Sequence, residues 1–243
     1  MDVTTFRALH HDRAPDDPLI LPGPWDAASA RAFAAAGFPA LATPSAGIAE
    51  SLGHEDGATP ADEMFAAVTR ITRAVAEFGI PVSADLESGY GLPARELVER
   101  ALEAGAVGVN LEDSDPSGAL NDPERQADWL AAVRSAAGDA LFVNARVDTY
   151  VQGVPDIEET ARRGRLYVEA GADSIYPILC PPDHLPDLRT AIPAPLNAFA
   201  LLDDGPSPRE LGQLGASRVT FGPGLLRRVM GAAGEIAREV QEW

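Results

Sequence analysis

Pro81-Val82-Ser83-Ala84-Asp85-Leu86-Glu87-Ser88-Gly89-Tyr90-Gly91 is the stretch from which the architecture is read. A short apolar run leads into two acids two residues apart, then a Gly-Tyr-Gly turn. Alternation along a strand places Asp85 and Glu87 on one face. With that face turned into a barrel, two carboxylates stand together at the strand's C-terminal end. Like charges so close are unfavourable unless a proton or a cation neutralises one, and a hard, oxygen-binding cation such as Mg²⁺ suits them. Taken alone, the same residues also fit a solvated acidic turn after an edge strand.

Working outward, the pattern repeats. Residues 94–104 read as a helix ended by Gly105, and Gly108-Val109-Asn110-Leu111 is a strand running into Glu112-Asp113. Helix 123–137 is followed by strand 141–144 and then Ala145-Arg146-Val147-Asp148. Helix 156–170, strand 174–177, a short helix near 183–190, Leu196-Asn197-Ala198, helix 207–213, strand 217–220 and a last helix over 224–241 continue it. Upstream, strand 19–22 reaches Trp25-Asp26, and Asp26 is placed to cap helix 27–36. Strand 40–43 precedes a long loop over 44–59, and Thr59, Pro60 and Glu63 open the helix that ends at Gly79. Ala35-Ala36-Gly37-Phe38, Glu103-Ala104-Gly105-Ala106, Glu169-Ala170-Gly171-Ala172 and Gln213-Leu214-Gly215-Ala216 echo one another as helix ends before buried strands.

Eight such strand-then-helix units in 243 residues predict an α/β fold, a single (β/α)₈ TIM barrel over residues 18–243 behind an N-terminal extension over 1–17. A doubly wound open sheet is the competing architecture. It would usually show a glycine-rich phosphate turn after its first strand, and none is present.

The net charge of −18 repels phosphate backbones and anionic lipid, so no nucleic acid and no membrane partner is expected. No run reaches the length of a membrane span and the N-terminus lacks a signal-peptide pattern, so the expected location is cytoplasmic. The single cysteine, Cys180, allows no internal disulfide. All 19 basic residues are arginines, and without lysine no Schiff-base chemistry can operate.

Barrel enzymes build their sites where the strands finish. Here those positions hold Trp25 and Asp26, Thr43 and Ser45, Asp85 and Glu87, Glu112 and Asp113, Asn144, Arg146 and Asp148, Tyr176, and Asn197, with Asp56 in the loop after the second strand. Several acids converge opposite one arginine. That layout suits a divalent cation holding an oxyanion while arginine clamps an acid group. Individually, Arg146 and Asp148 can simply pair, and Asp113 can cap a loop.

Gly53-His54-Glu55-Asp56, residues 83–91, Asn110-Leu111-Glu112-Asp113 and Asn144-Ala145-Arg146-Val147-Asp148 together resemble the isocitrate lyase/phosphoenolpyruvate mutase superfamily over roughly residues 18–230. The resemblance implies a (β/α)₈ barrel, a homo-oligomer (dimer or tetramer), and Mg²⁺ or Mn²⁺ as cofactor. It implies a small-molecule carboxylate or phosphonate substrate whose C–C or P–C bond is broken through an enolate. Carried over by position, Asp85 contacts the metal, and Asp56, Glu87 and Glu112 hold its water shell. Arg146 binds the substrate's acid group, and Ser45 with the N–H of Ala46 grips the 2-oxo acid end. Asn197 and Trp25 complete the expected substrate-binding residues, and Asp56, Arg146, Glu112 and Asp113 are the expected catalytic ones.

Where family lyases carry a Lys-Lys/Arg-Cys-Gly-His gating motif, residues 114–123 read Ser-Asp-Pro-Ser-Gly-Ala-Leu-Asn-Asp-Pro. Ile178 stands where the lyases tend to have glutamate and the mutase histidine. These departures argue against isocitrate or 2-methylisocitrate cleavage and leave the acid/base open among Asp113, Asp115, Asp148 and bound water. The expected function is an Mg²⁺-dependent lyase cleaving a C–C bond of a small 2-oxo or 2-hydroxy acid. The alternatives are a phosphoenolpyruvate mutase- or phosphonopyruvate hydrolase-like enzyme, or a catalytically inactive ligand-binding barrel.

Overall fold

Each of the eight expected strands forms, and all run parallel to their neighbours. A computed structural model describes residues 3–11, 13–115, 117–154 and 156–243. In chain order the elements are α1 (Val3–Ala8), β1 (Leu19–Ile20), α2 (Ala27–Ala35), β2 (Leu41–Ala42), α3 (Ser45–Leu52), α4 (Ala61–Ala74), β3 (Val82–Asp85), α5 (Ala94–Glu103) and β4 (Gly108–Leu111). There follow α6 (Pro123–Ala137), β5 (Phe142–Val147), α7 (Ile157–Glu169), β6 (Ser174–Pro177), α8 (Leu185–Ala191), β7 (Asn197–Phe199), α9 (Pro208–Gln213), β8 (Arg218–Thr220) and α10 (Gly224–Gln241).

The strands make a curled five-stranded sheet, β2-β3-β4-β5-β6, and a three-stranded one, β1-β8-β7. Two seams join them. The Ala42 N–H donates to Pro22 O at 3.2 Å, and Ile175 pairs in parallel with Leu196. Helices pack outside, where α4 and α5 bury Met64, Val68, Ile71, Leu97 and Ala101 against the sheet. Local chemistry fixes the helix starts. Asp26 and Ser29 form a reciprocal capping box on α2, and Ser207 and Glu210 do the same on α9. Gly171 ends the α7 region at φ +99, where a β-carbon would also collide with Arg134.

Two sequence expectations change. Thr59 does not cap α4: Pro60 occupies the cap position, so the threonine stands one residue too early to reach the first free N–H groups. The expected loop over 44–59 contains a helix, α3, whose Ile48 and Ala49 are buried and which Gly53 terminates. Within the N-terminal segment, residues 3–8 form α1, the short helical stretch expected before the strands. Phe6 of α1 is buried edge-on to Phe142, their ring centroids 5.3 Å apart, and His10 stacks on Phe142 at 4.1 Å, so this segment plugs the end of the strands opposite the acids. Of the quoted gating stretch, Pro116 lies outside the described residues.

Candidate functional site

Asp85, the last residue of β3, is held from three sides. Its Oδ2 accepts from the Ser45 N–H at 3.1 Å and the Ser45 hydroxyl at 2.8 Å, and its Oδ1 accepts from Asn110 Nδ2 at 2.8 Å. Behind it the bonds continue across the strands: Asn144 Nδ2 donates to Asn110 Oδ1 at 2.8 Å, and Ser174 Oγ to Asn144 Oδ1 at 2.5 Å. One polar layer of the strands' interior therefore fixes a single carboxylate. Ser45 opens α3, and the first N–H groups of a helix have no acceptor within it; Ala46, the next residue, lines the same cavity.

Glu87 reaches the site by a route the alternation argument does not provide. β3 stops at Asp85, and Glu87 takes a left-handed backbone, φ 51, that non-glycine residues rarely adopt. Its carbonyl accepts from the Glu112 N–H at 2.9 Å, locking the two acids into neighbouring turns. Glu87 Oε1 is buried and makes no hydrogen bond. Burial, then Asp85 and Asp56, push the Glu87 carboxyl up to about 7; the Tyr90 hydroxyl nearby works weakly the other way, although its geometry is not that of a hydrogen bond. Asp56 is raised by burial and by Asp85. The Glu112 carboxyl is raised by burial, against the pull of Arg146 and with Asp85, Asp148 and Glu87 adding to the rise.

Two adjoining cavities open here, of about 330 and 500 Å³, sharing Asp56, Arg146 and Val151. Ser45, Asp85, Tyr176, Asn197 and Arg218 line the first; Glu87, Glu112, Ser114 and Asp148 line the second. Arg146 stands between them with its fork engaged, Nε to Asp148 Oδ1 at 2.5 Å and Nη1 to Glu112 Oε1. Burial alone would lower its pKa, but the Glu112 and Asp148 carboxylates outweigh that and keep it above the usual arginine range.

Among the described residues no three His, Cys, Asp or Glu side chains form a ready-made metal cage. The donor set is nonetheless all oxygen and carries more negative than positive charge, which suits a hard cation held by one direct carboxylate and by water on the others. The unpartnered, buried Glu87 Oε1 is the observation that fits such a cation.

Asp56, Asp85, Glu87, Glu112, Arg146, Ser45, Ala46 and Asn197 are thus brought together. Two expected residues are not. Asp113 is 0% exposed and lines neither cavity; its Oδ2 accepts from Tyr167 at 2.8 Å and Arg163 at 3.0 Å, and its Oδ1 from the Asp148 N–H at 2.8 Å. Those three donors tie it to α7 and to the backbone just after β5, outside both cavities. Trp25 packs edge-on to Phe33 at 6.1 Å and lies behind Gly47 of α3, outside both cavities. Sequence reasoning missed Asn110 as the orienting partner of Asp85, and Arg218 on the cavity floor. Period-2 alternation on β8, which turns Arg218 and Thr220 inward together, was the signal available for the second.

The profile of the phosphoenolpyruvate phosphomutase family matches residues 6–241. An uncharacterized protein of Mycobacterium tuberculosis (strain ATCC 25618 / H37Rv) is 35% identical over 240 residues, covering 98% of this chain and 89% of that protein. A 2-methylisocitrate lyase of Aeropyrum pernix is 30% identical over 242 residues, covering 93% of this chain and 76% of the lyase. Among solved structures, a candidate phosphonomutase of Burkholderia cenocepacia J2315 superposes with a TM-score of 0.89 at 37% identity, covering 98% of this chain and 99% of that one.

Proposed function

The chain belongs to the phosphoenolpyruvate phosphomutase family, within the isocitrate lyase/phosphoenolpyruvate mutase superfamily of lyases and mutases, and on that premise we propose that it is a divalent-cation-dependent lyase cleaving a C–C bond of a small 2-oxo or 2-hydroxy acid. The observation that carries this reading is Asp85, pinned by Ser45 and Asn110 in the lining of the first cavity and close enough to act on Glu87, whose buried carboxylate oxygen is unpartnered. Asp85 would contact Mg²⁺ or Mn²⁺ directly, and Asp56, Glu87 and Glu112 would hold it through water. The cation, when bound, lowers the cost of negative charge on the substrate's carbonyl and carboxylate oxygens.

The chain's own groups do the rest. The Ala46 N–H and the α3 N-terminus receive the acid end of the substrate. Arg146, charged and fixed between the cavities, faces the charge that develops, which preorganised donors stabilise without rearrangement. Glu112, bonded to Arg146 and with a raised pKa, is the acid/base we assign in place of Asp113.

The two seams between the sheets support reading all eight strands as one closed (β/α)₈ barrel. An oligomer is part of the same reading: along α10 only Leu226 is buried, while Val229, Met230, Ile236 and Val240 are exposed. No helix among the described residues is long and apolar enough to cross a membrane.

The deciding measurement is calorimetric titration of oxalate, a mimic of the enolate of a 2-oxo acid, with and without Mg²⁺, on the native chain and on Asp85→Ala. Binding that needs Mg²⁺ and disappears in the variant supports the reading. Oxalate binding in neither, or equal binding in both, would overturn it. A screen of acids for released pyruvate or released phosphate then separates C–C from P–C cleavage.

A further inference from the structure

Tyr90 shares with Glu87 a turn that is strained twice over. Glu87 stands at φ 51 and Tyr90 at φ 56, left-handed values unfavourable for any residue but glycine. The surrounding chain holds the turn in this shape. Leu86 donates its N–H to Asn110 O at 3.1 Å, Glu112 donates to Glu87 O at 2.9 Å, and Gly89 to Leu86 O at 2.9 Å. A β-carbon on Gly89 would stand 2.7 Å from Trp129 Cζ2, so α6 packs directly against the turn. The Tyr90 ring lies edge-on to Phe65 of α4, centroids 6.3 Å apart.

This turn brings together a donor and an acceptor that both lack partners. The Tyr90 hydroxyl is buried without a hydrogen bond. So is Glu87 Oε1, the one buried carboxylate oxygen left unpartnered among the described residues. Both side chains border the second cavity. Competing acceptors are engaged: both oxygens of Asp85 accept from Ser45 and Asn110, and Glu112 is paired with Arg146. Burial first, and then Glu87, hold the phenol above its usual pKa, so Tyr90 keeps its proton and meets a carboxylate as a donor.

The two groups are close enough to act on one another, yet their geometry falls short of a hydrogen bond. Hydrogen bonds at reaction sites are often long before a ligand arrives and tighten when it does. An ionised carboxylate has about four acceptor sites, so Glu87 has room for the phenol and for a water at once. Phenol to ionised carboxylate is a charge-assisted bond, stronger than a neutral one.

We propose that Tyr90 is a positioning residue for the cation: its hydroxyl donates to the Glu87 carboxylate when the cation binds, and fixes that carboxylate towards the cation's water. Tyr90 touches neither cation nor substrate and acts through Glu87. This deepens the lyase reading and rests on its cation.

The test is calorimetric titration of Mg²⁺ with oxalate present, on the full native chain and on Tyr90→Phe. The variant should bind Mg²⁺ about tenfold more weakly, the scale of one hydrogen bond to a charged group. Without Mg²⁺ it should melt no lower than the native chain, because the hydroxyl it lacks is unbonded in that state. The accompanying signature is tyrosine near-ultraviolet absorption, which shifts when a phenol gains an acceptor. Adding Mg²⁺ should produce that shift in the native chain but not in Tyr90→Phe. Tyr150→Phe should keep it, since the Tyr150 hydroxyl already lies 3.0 Å from His184 Nδ1.

Unchanged Mg²⁺ affinity in Tyr90→Phe overturns the proposal. So does a native chain that binds Mg²⁺ with no tyrosine shift, a measurement that needs no variant to fold. Weaker binding in Tyr90→Phe with the shift retained would make the effect one of packing, and likewise overturns it. If the native chain binds no Mg²⁺ at all, the cation reading fails and this inference with it; if it binds and these differences are missing, only this inference fails.

Discussion

Asp85 and Asp113 are both strand-end aspartates in sequence, and the structure gives them opposite work. Three donors from Ser45 and Asn110 aim Asp85 at the cavity, whereas Tyr167, Arg163 and a backbone N–H turn Asp113 away from it. Asp113→Asn should therefore act on stability, leaving Arg163 partly uncompensated at a loss of about 3 kcal/mol. Chemical denaturation measures this; a variant of native stability that cannot bind Mg²⁺–oxalate would instead restore Asp113 to the active site. Asn110→Ala should do the reverse, weakening Mg²⁺-dependent oxalate binding about tenfold by loosening Asp85, at a modest stability loss of roughly 1–2 kcal/mol. Unchanged oxalate affinity would remove Asn110 from the positioning of Asp85. The acids themselves were legible in the sequence because they sit at strand ends. Their partners were not, because a hydrogen bond between β3 and β4 depends on register, and register is set by pairings that a single strand does not display.

At the scale of elements, the strands were legible and α3 was not. Every strand is preceded by a helix end or turn residue that marks it, and the Ala-Gly echoes repeat that mark four times along the chain. α3 is short, rich in serine and glycine, and opens on a proline with no side-chain cap, so its local signals read as loop. What makes it a helix is tertiary: Ile48 and Ala49 are buried, and Ser45 is tied to Asp85. Gly47 is where this becomes testable. A β-carbon there would stand 2.8 Å from Pro44 Cγ and 3.7 Å from Trp25 Cβ. Gly47→Ala should push the first turn of α3 off Pro44 and displace the Ala46 N–H, an overpacking penalty of about 1–3 kcal/mol. The expected readout is weaker oxalate binding together with a lower melting temperature. A variant that lowers stability alone would mean that the helix N-terminus does not receive the acid group.

For the whole molecule, the acid cluster at one end of the strands and the N-terminal plug at the other respond oppositely to pH. Glu87 has its pKa raised from 4.5 to about 7, so the fold holds that proton more tightly than the unfolded chain does. Its contribution is full at low pH and is lost as pH rises through 7. His10 behaves in the other sense. Buried on Phe142, bonded through Nδ1 to Phe6 O at 2.8 Å, and lowered from 6.5 to about 3 by burial and then by Arg218, it stays neutral in the fold. Below pH 6.5 the unfolded chain takes up a proton that the fold refuses, so stability is full above 6.5 and is lost as pH falls toward 3. Between pH 6.5 and pH 5 the loss from His10 alone is about 2 kcal/mol, from 1.36 kcal/mol per pH unit. Because the carboxylates at the opposite end work against it, the informative quantity is the difference between native and His10→Phe, a substitution that keeps the stack and removes the titration. Urea midpoints at pH 7.5 and pH 5 should show the variant less stable than native at the higher pH, where it lacks the bond to Phe6. At the lower pH the gap should close or reverse. A constant gap at both values would mean that His10 takes up its proton in the folded protein, and that the plug opens readily enough to admit it.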